Sequence, residues 1–315
     1  MGTPAAQAKS FLARWARKPN ASLASTIRQF YTARASRLPL KLRAELCLVL
    51  GEAAELEGRV DHAKWLYASA IGGVNAQTDE RLYARAVLMS LLNASRLGDG
   101  ALLQRFATLM EKHRPEQQTP RLAFLGAFSR GLERFLKEDY TAARRAFEAA
   151  MGASWECSDP EAEAVAHHLL AQTWSRLEKL ARAREHVDAA RAAAKKAGSW
   201  ILQRRLALEA TKYRLRAGMA PEALAEARAL AAEIRRMGFP RFESLAWTKI
   251  AQGILVDRVS AQVLLDRSEG LLPEGHPDRR SVLALKALVG KKSGNGRVDR
   301  TVAEELQALV ALARG

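Results

Sequence analysis

The side chains best able to do chemistry are thinly spread along this chain. The six histidines are His62, His113, His167, His168, His186 and His276. Only His167 and His168 are neighbours, and adjacent residues of a helix point about 100° apart, so they cannot close on one metal as an i, i+4 pair does. Neither HExxH, Cys-x-x-Cys nor an EF-hand loop occurs, and no metal ligation is expected. Gly290-Lys291-Lys292-Ser293-Gly294-Asn295-Gly296 superficially resembles a phosphate-binding loop, but Leu285 stands where the first Gly of a Walker loop would be needed. It reads as a basic loop between helices. Glu52, Glu55 and Glu57 lie near Arg and Lys and read as solvated helical faces. Cys47 and Cys157 cannot build a disulfide framework, which fits a reducing compartment, and both read as small buried apolar residues. No nucleophile–base grouping can be argued, so the chain is expected to be no enzyme and to carry no cofactor.

The elements that must hold these residues are helices. The chain has 315 residues, more than one compact core usually takes, so it should form two domains or an elongated array. Ala, Leu, Arg and Glu recur throughout and aromatics make up only 6%, which favours helix and leaves almost no room for sheet. No apolar run approaches the roughly 18–20 residues of a membrane-spanning helix, and a soluble, cytoplasmic protein is expected. The start, Met1-Gly2-Thr3-Pro4-Ala5-Ala6, lacks the Ser or Thr of a myristoylation signal.

A forty-residue register runs through the sequence. Ala63, Leu103, Ala143, Ala183 and Ala223 are forty apart, and the large position beside them is Tyr67, Ala107, Phe147, Val187 and Ala227. Punctuation keeps the same beat. Gly58, Gly98 and Gly218 are expected in turns within hairpins, and Pro120, Pro160 and Pro240 at the starts of new helices. Ser158 with Glu161, and Thr301 with Glu304, read as capping boxes. The pattern predicts sixteen helices, from 7–17 to 300–313.

Glu138-Asp139-Tyr140 followed by Ala143, Phe147 and Ala150 resembles the tetratricopeptide signature. Units of that family commonly run 34 residues, and the longer unit here is similar to the 40-residue variants of bacterial regulators of the maltose-activator kind. The resemblance implies an all-α, right-handed α-solenoid of antiparallel helix hairpins, about seven to eight units, that binds in place of catalysing. It divides the chain into a basic capping hairpin at 1–40, repeats at 41–257, and degenerate repeats with a cap at 258–315.

The same resemblance implies a concave groove lined by first helices. Carried onto this sequence it assigns Phe128, Leu132, Phe135, Gln172, Arg176, Arg205, Lys212 and Arg216 to that groove, which would pass from apolar to basic. The partner expected is a protein or peptide of acidic character. The alternative starts from charge. The chain carries +16, and residues 1–44 hold nine Lys or Arg and no acid. Arg14, Arg17, Lys18, Arg28, Arg34 and Arg37 could then contact nucleic acid or an acidic partner.

Overall fold

The computed structural model describes residues 3–111, 119–290 and 300–314. Among the described residues it is all-α, with no strand and sixteen α-helices. The first ten are α1 (Pro4–Arg17), α2 (Ala21–Arg34), α3 (Leu40–Glu57), α4 (Val60–Gly72), α5 (Glu80–Leu97), α6 (Gly100–Glu111), α7 (Pro120–Leu136), α8 (Tyr140–Glu156), α9 (Pro160–Arg176) and α10 (Leu180–Ala197). The rest are α11 (Trp200–Ala217), α12 (Pro221–Arg236), α13 (Pro240–Gly253), α14 (Arg258–Gly270), α15 (Pro277–Gly290) and α16 (Arg300–Arg314). A single 3-10 turn, Ala35–Arg37, follows α2.

The chain forms two compact units. Unit 1 comprises residues 1–19, 23–54 and 59–203; unit 2 comprises 20–22, 55–58 and 204–315. In unit 1 each helix packs on its neighbours in sequence, as α6 does on α7 and α8 on α9, and first helices also pack on first helices, as α5 does on α7. In unit 2, α13 packs on α12 and α14, while α16 packs on both α12 and α14.

Helix pairs pack closely because the residues facing each other exchange volume. Gly131 of α7 lies against the ring of Phe147 of α8, and even a methyl at Gly131 would overlap that ring. Gly51 and Tyr67 repeat the arrangement eighty residues earlier. At the intervening register position the sizes are reversed to Leu91 and Ala107, both buried, and one unit later they are intermediate, Ala171 and Val187. Phe147 is wholly buried, which contributes roughly 1.5–3 kcal/mol by removal of apolar surface from water.

Turn chemistry follows the register with informative exceptions. Gly58 and Gly98 adopt φ of 90° and 70°, the left-handed conformation expected of helix-ending glycines. Gly218 does not; the corresponding left-handed positions Glu138 and Glu178, with φ of 61° and 60°, are occupied by residues that have a Cβ. Pro120, Pro160 and Pro240 each sit in the first turn of a helix. The capping box expected at Ser158 is shifted by one residue: Ser158 has φ of 49°, and Asp159 caps α9 by accepting from the backbone N–H groups of Glu161 and Ala162. Thr301 lies inside α16 and is not its cap.

Candidate functional site

A concavity rich in polar side chains lies wholly within unit 1. It is a cavity of about 500 Å³ built by the starts or inner faces of α1, α3, α5 and α9, closed by the turn from α10 into α11. With the exception of that turn, its walls come from α1, α3, α5 and α9 and the residues flanking them. Trp15 and Ala16 near the end of α1 bound the same space as Ser199 and Trp200, although some 180 residues separate them in sequence.

Five carboxylates line it: Glu45 and Glu52 on α3, Asp79 before α5, and Asp159 and Glu161 at the start of α9. Lys41, Arg81 and Arg85 answer them, so the lining carries a formal −2 inside a chain of +16. Several charges are already paired. Lys41 meets Asp79 at 2.6 Å, and that contact holds the Asp79 carboxyl below the usual carboxylate range. Arg85 meets Glu161 at 3.2 Å and remains 44% exposed, so it points into the open space instead of packing away. Glu161, and after it Glu52, strengthen the positive form of Arg85. The indole N–H of Trp15 donates to Glu52 at 2.8 Å, which fixes both side chains on one wall. Arg121 braces the far side, donating to Glu80 at 3.1 Å and lying 3.9 Å from Asp159.

Glu45 differs from these neighbours. It is half-buried and forms no ion pair among the described residues. Burial raises its carboxyl pKa and the nearby Asp79 raises it too, while Lys41, Arg85 and Lys9 act in the opposite direction.

The sequence-assigned groove residues fall elsewhere. Phe128 is wholly buried, stacked on Phe124 at 5.2 Å and tilted against Phe147 at 5.7 Å, and Leu132 is 2% exposed. These two pack between helices. Phe135 is half-buried and meets Tyr140 edge-on at 5.4 Å. Gln172 bonds to His168 of its own helix at 2.8 Å, and Arg176 is exposed. In unit 2, Arg205 is half-buried and lies 3.6 Å from Glu55, while Arg216 is exposed and donates to the carbonyl of Gln252 at 3.2 Å. Lys212 was expected in solvent and is buried, paired with Glu209. Residues 208–213 of its helix are all buried, so that part of α11 has no solvated face. Of the basic N-terminal residues, Arg14, Arg17, Lys18, Arg34 and Arg37 are exposed and Arg28 is half-buried.

The chemistry expected to be missing can be placed in part. Among the described residues no group of three or more His, Cys, Asp or Glu is arranged to hold a metal. His167 meets His186 of α10, with the two Nδ1 atoms 2.9 Å apart, an inter-helix pairing not anticipated from the sequence. Burial raises the Cys47 thiol pKa, which agrees with a packing role, and raises that of half-buried Cys157. His113 and Lys291–Gly296 of the glycine-rich loop lie outside the described residues. No helix among the described residues is long and apolar enough to cross a membrane.

The register did contain a signal for the cavity. The position occupied by Leu125, three residues before Phe128, recurs forty and eighty residues earlier at Arg85 and Glu45, and the position of Leu132 recurs eighty residues earlier at Glu52. All three earlier residues line the cavity. No protein-family model matches the chain, and no curated protein matches it.

Proposed function

We propose that this protein is a non-catalytic scaffold that binds a protein or peptide in the concave cavity of unit 1. The observation carrying this reading is that α1, α3, α5 and α9 converge on one solvent-open space of about 500 Å³. Such a space offers an extended chain segment several side-chain-sized contacts in a row, while the stacked hairpins hold it open before binding. Ala16 is exposed on α1 and faces this space, so Ala16→Trp fills it without entering the core. Proteins captured from the native cell by the full chain and lost with A16W, at unchanged helicity and melting temperature, are the expected result. Equal capture by both forms would remove the cavity from the function.

A second reading is supported by the exposure of Arg14, Arg17, Lys18, Arg34 and Arg37 in a stretch free of acids. In this reading the N-terminal helices contact phosphate backbones. Retardation of DNA or RNA in gel shifts should then weaken steeply with salt, because each phosphate contact releases counterions. Absence of retardation at low salt ends it.

A further inference from the structure

Helix α15 departs from the burial pattern of the helices that precede it in the forty-residue register. Val282 and Val289 join the core of unit 2. The other side of the same helix carries Leu283, Ala284, Ala287 and Leu288, all exposed, the two leucines at 46% and 61%. Residues at i, i+1, i+4 and i+5 form one continuous strip, and a helix that is apolar all round is normally covered on both sides. Earlier helices are covered there. The position of Leu288 falls successively on Leu48, Leu88, Phe128, Leu208 and Thr248, each buried, and on half-buried His168. In unit 1 the cover is itself helical: Phe128 of α7 meets Phe147 of α8 at 5.7 Å, and α7 packs besides on α5 and α6.

From this we infer that the exposed strip of α15 docks an amphipathic helix of a partner protein, whose apolar side lies on Leu283 and Leu288 and whose acidic flank pairs with Arg280. The inference goes beyond the scaffold reading and shares no residue with the cavity of unit 1. The strip suits a helix, because Ala284 and Ala287 leave room between the two leucines into which the side chains of a crossing helix can settle. Charge selects the flank. Lys286 is held by Asp266 and Glu269, and Arg279 by Glu269. Arg280, one turn before Ala284 on the same side, is exposed and forms no ion pair among the described residues. An acid on the guest supplies that partner at the rim, where charge fixes orientation and speeds association. A second copy of this chain is the poorer guest, since it brings another +16 and another Arg280 to the contact.

The test is selection of a displayed library of helical peptides, randomised on one face and its flanks, on the full chain. Synthetic copies of the enriched peptides are then titrated into wild type, A16W, the double variant Leu283→Gln with Leu288→Gln, and Arg280→Glu. All three substituted α15 side chains are exposed, so these variants should keep wild-type helicity and melting temperature. The expected result is enrichment of leucine-striped helices flanked by Asp or Glu that bind wild type and A16W alike and bind the double glutamine variant about tenfold more weakly. Exchanging the acids of the peptide for Lys should weaken binding to wild type and restore it to R280E. Enriched helices with neutral or basic flanks, or none that distinguishes the double variant from wild type, would overturn the inference. Sedimentation showing a wild-type dimer that the double variant loses would overturn it too, by giving the strip to a second copy. The cavity reading is tested separately, because it stands or falls with A16W.

Discussion

Unit 1 turns its charged side chains toward an open cavity, whereas unit 2 holds several of its own in the interior. In unit 1, Arg85 is 44% exposed although it faces Glu161. In unit 2, Glu209 is 3% exposed and receives both Lys212 and Lys249, with the Lys212 ammonium 4.2 Å from the centre of the Tyr213 ring. Nearby, Glu243 accepts from Trp247 at 3.1 Å and from Arg267 at 3.0 Å. The same pairings serve different ends in the two settings. Solvated pairs cost little to separate and are free to exchange partners for a ligand, whereas buried ones are committed to folding because neither member can be left alone.

The largest expected effect breaks this contrast if it fails. Glu209→Ala leaves Lys212 and Lys249 without their carboxylate, and burial already pushes the Lys249 ammonium toward its neutral form. A loss of about 3–5 kcal/mol in chemical denaturation is expected. Glu161→Gln in the cavity should cost less than about 1 kcal/mol. Similar losses for the two variants would mean that both sets of charges serve stability alike.

Packing, in contrast, should be equally strict in both units. A methyl on Gly131 would overlap Phe147, and one on Gly253 of α13 would come 2.7 Å from Cβ of Leu215. Gly131→Ala and Gly253→Ala are each expected to lose about 1–3 kcal/mol through overpacking. Gly152 has open space around its Cβ position, so Gly152→Ala should instead be neutral or stabilising by about 0.4–1 kcal/mol. Thermal unfolding of the three variants measures the difference. A tolerant Gly253 beside a strict Gly131 would extend the contrast between units from charge to packing.

Acid should act on both units through buried histidines. Burial lowers the pKa of His167, His186 and His276 below their ordinary 6.5, and for His167 the nearby His186 lowers it further. The opposing charges facing the pair are Glu163 on α9, Glu148 on α8 and Glu185 on α10, with Arg182 acting against them. A depressed histidine binds fewer protons folded than unfolded, so stability is present above pH 6.5 and declines as pH falls through and below that value. Melting temperature should therefore drop between pH 7 and 5. His186→Gln should flatten the part of that profile belonging to unit 1 and leave the part due to His276, while an unchanged profile would show that the pair does not govern it.

The smallest effect concerns turns. Glu138 and Glu178 occupy left-handed backbone in unit 1, and Gly238 of unit 2, at a different register position, does so with φ of 74°. Glu138→Gly and Glu178→Gly should each stabilise by about 0.5–1 kcal/mol, because the strain of a Cβ in that region exceeds the added chain entropy of glycine. Gly238→Ala should destabilise by a similar amount. Calorimetry resolves these signs.

How much of this was legible depended on whether a feature is local. Sixteen helices, the proline starts and the glycine ends at 58 and 98 followed from periodicity, since helix initiation and termination are decided within a few residues. Asp159 in place of Ser158 as the α9 cap is a one-residue error of the same local kind. The cavity residues were harder. Glu52 reads as one more charge on a solvated face and Trp15 as core, and only their meeting at 2.8 Å across thirty-seven residues joins them in one wall.

By itself, then, the sequence determined helix, hairpin and register, because a fixed period of small and large residues leaves few ways to pack neighbouring helices. It also places Glu45, Arg85 and Leu125 in one position class, forty residues apart. Which members of that class meet solvent and which meet protein was decided only by the tertiary structure. Leu125 is 1% exposed, while Glu45 and Arg85 border the open cavity. Lys212 ended in the interior for the same reason. A helix's own period selects a stripe, but the width of the space in front of that stripe depends on how many hairpins stack and what closes them, and those distances involve residues far apart in the chain.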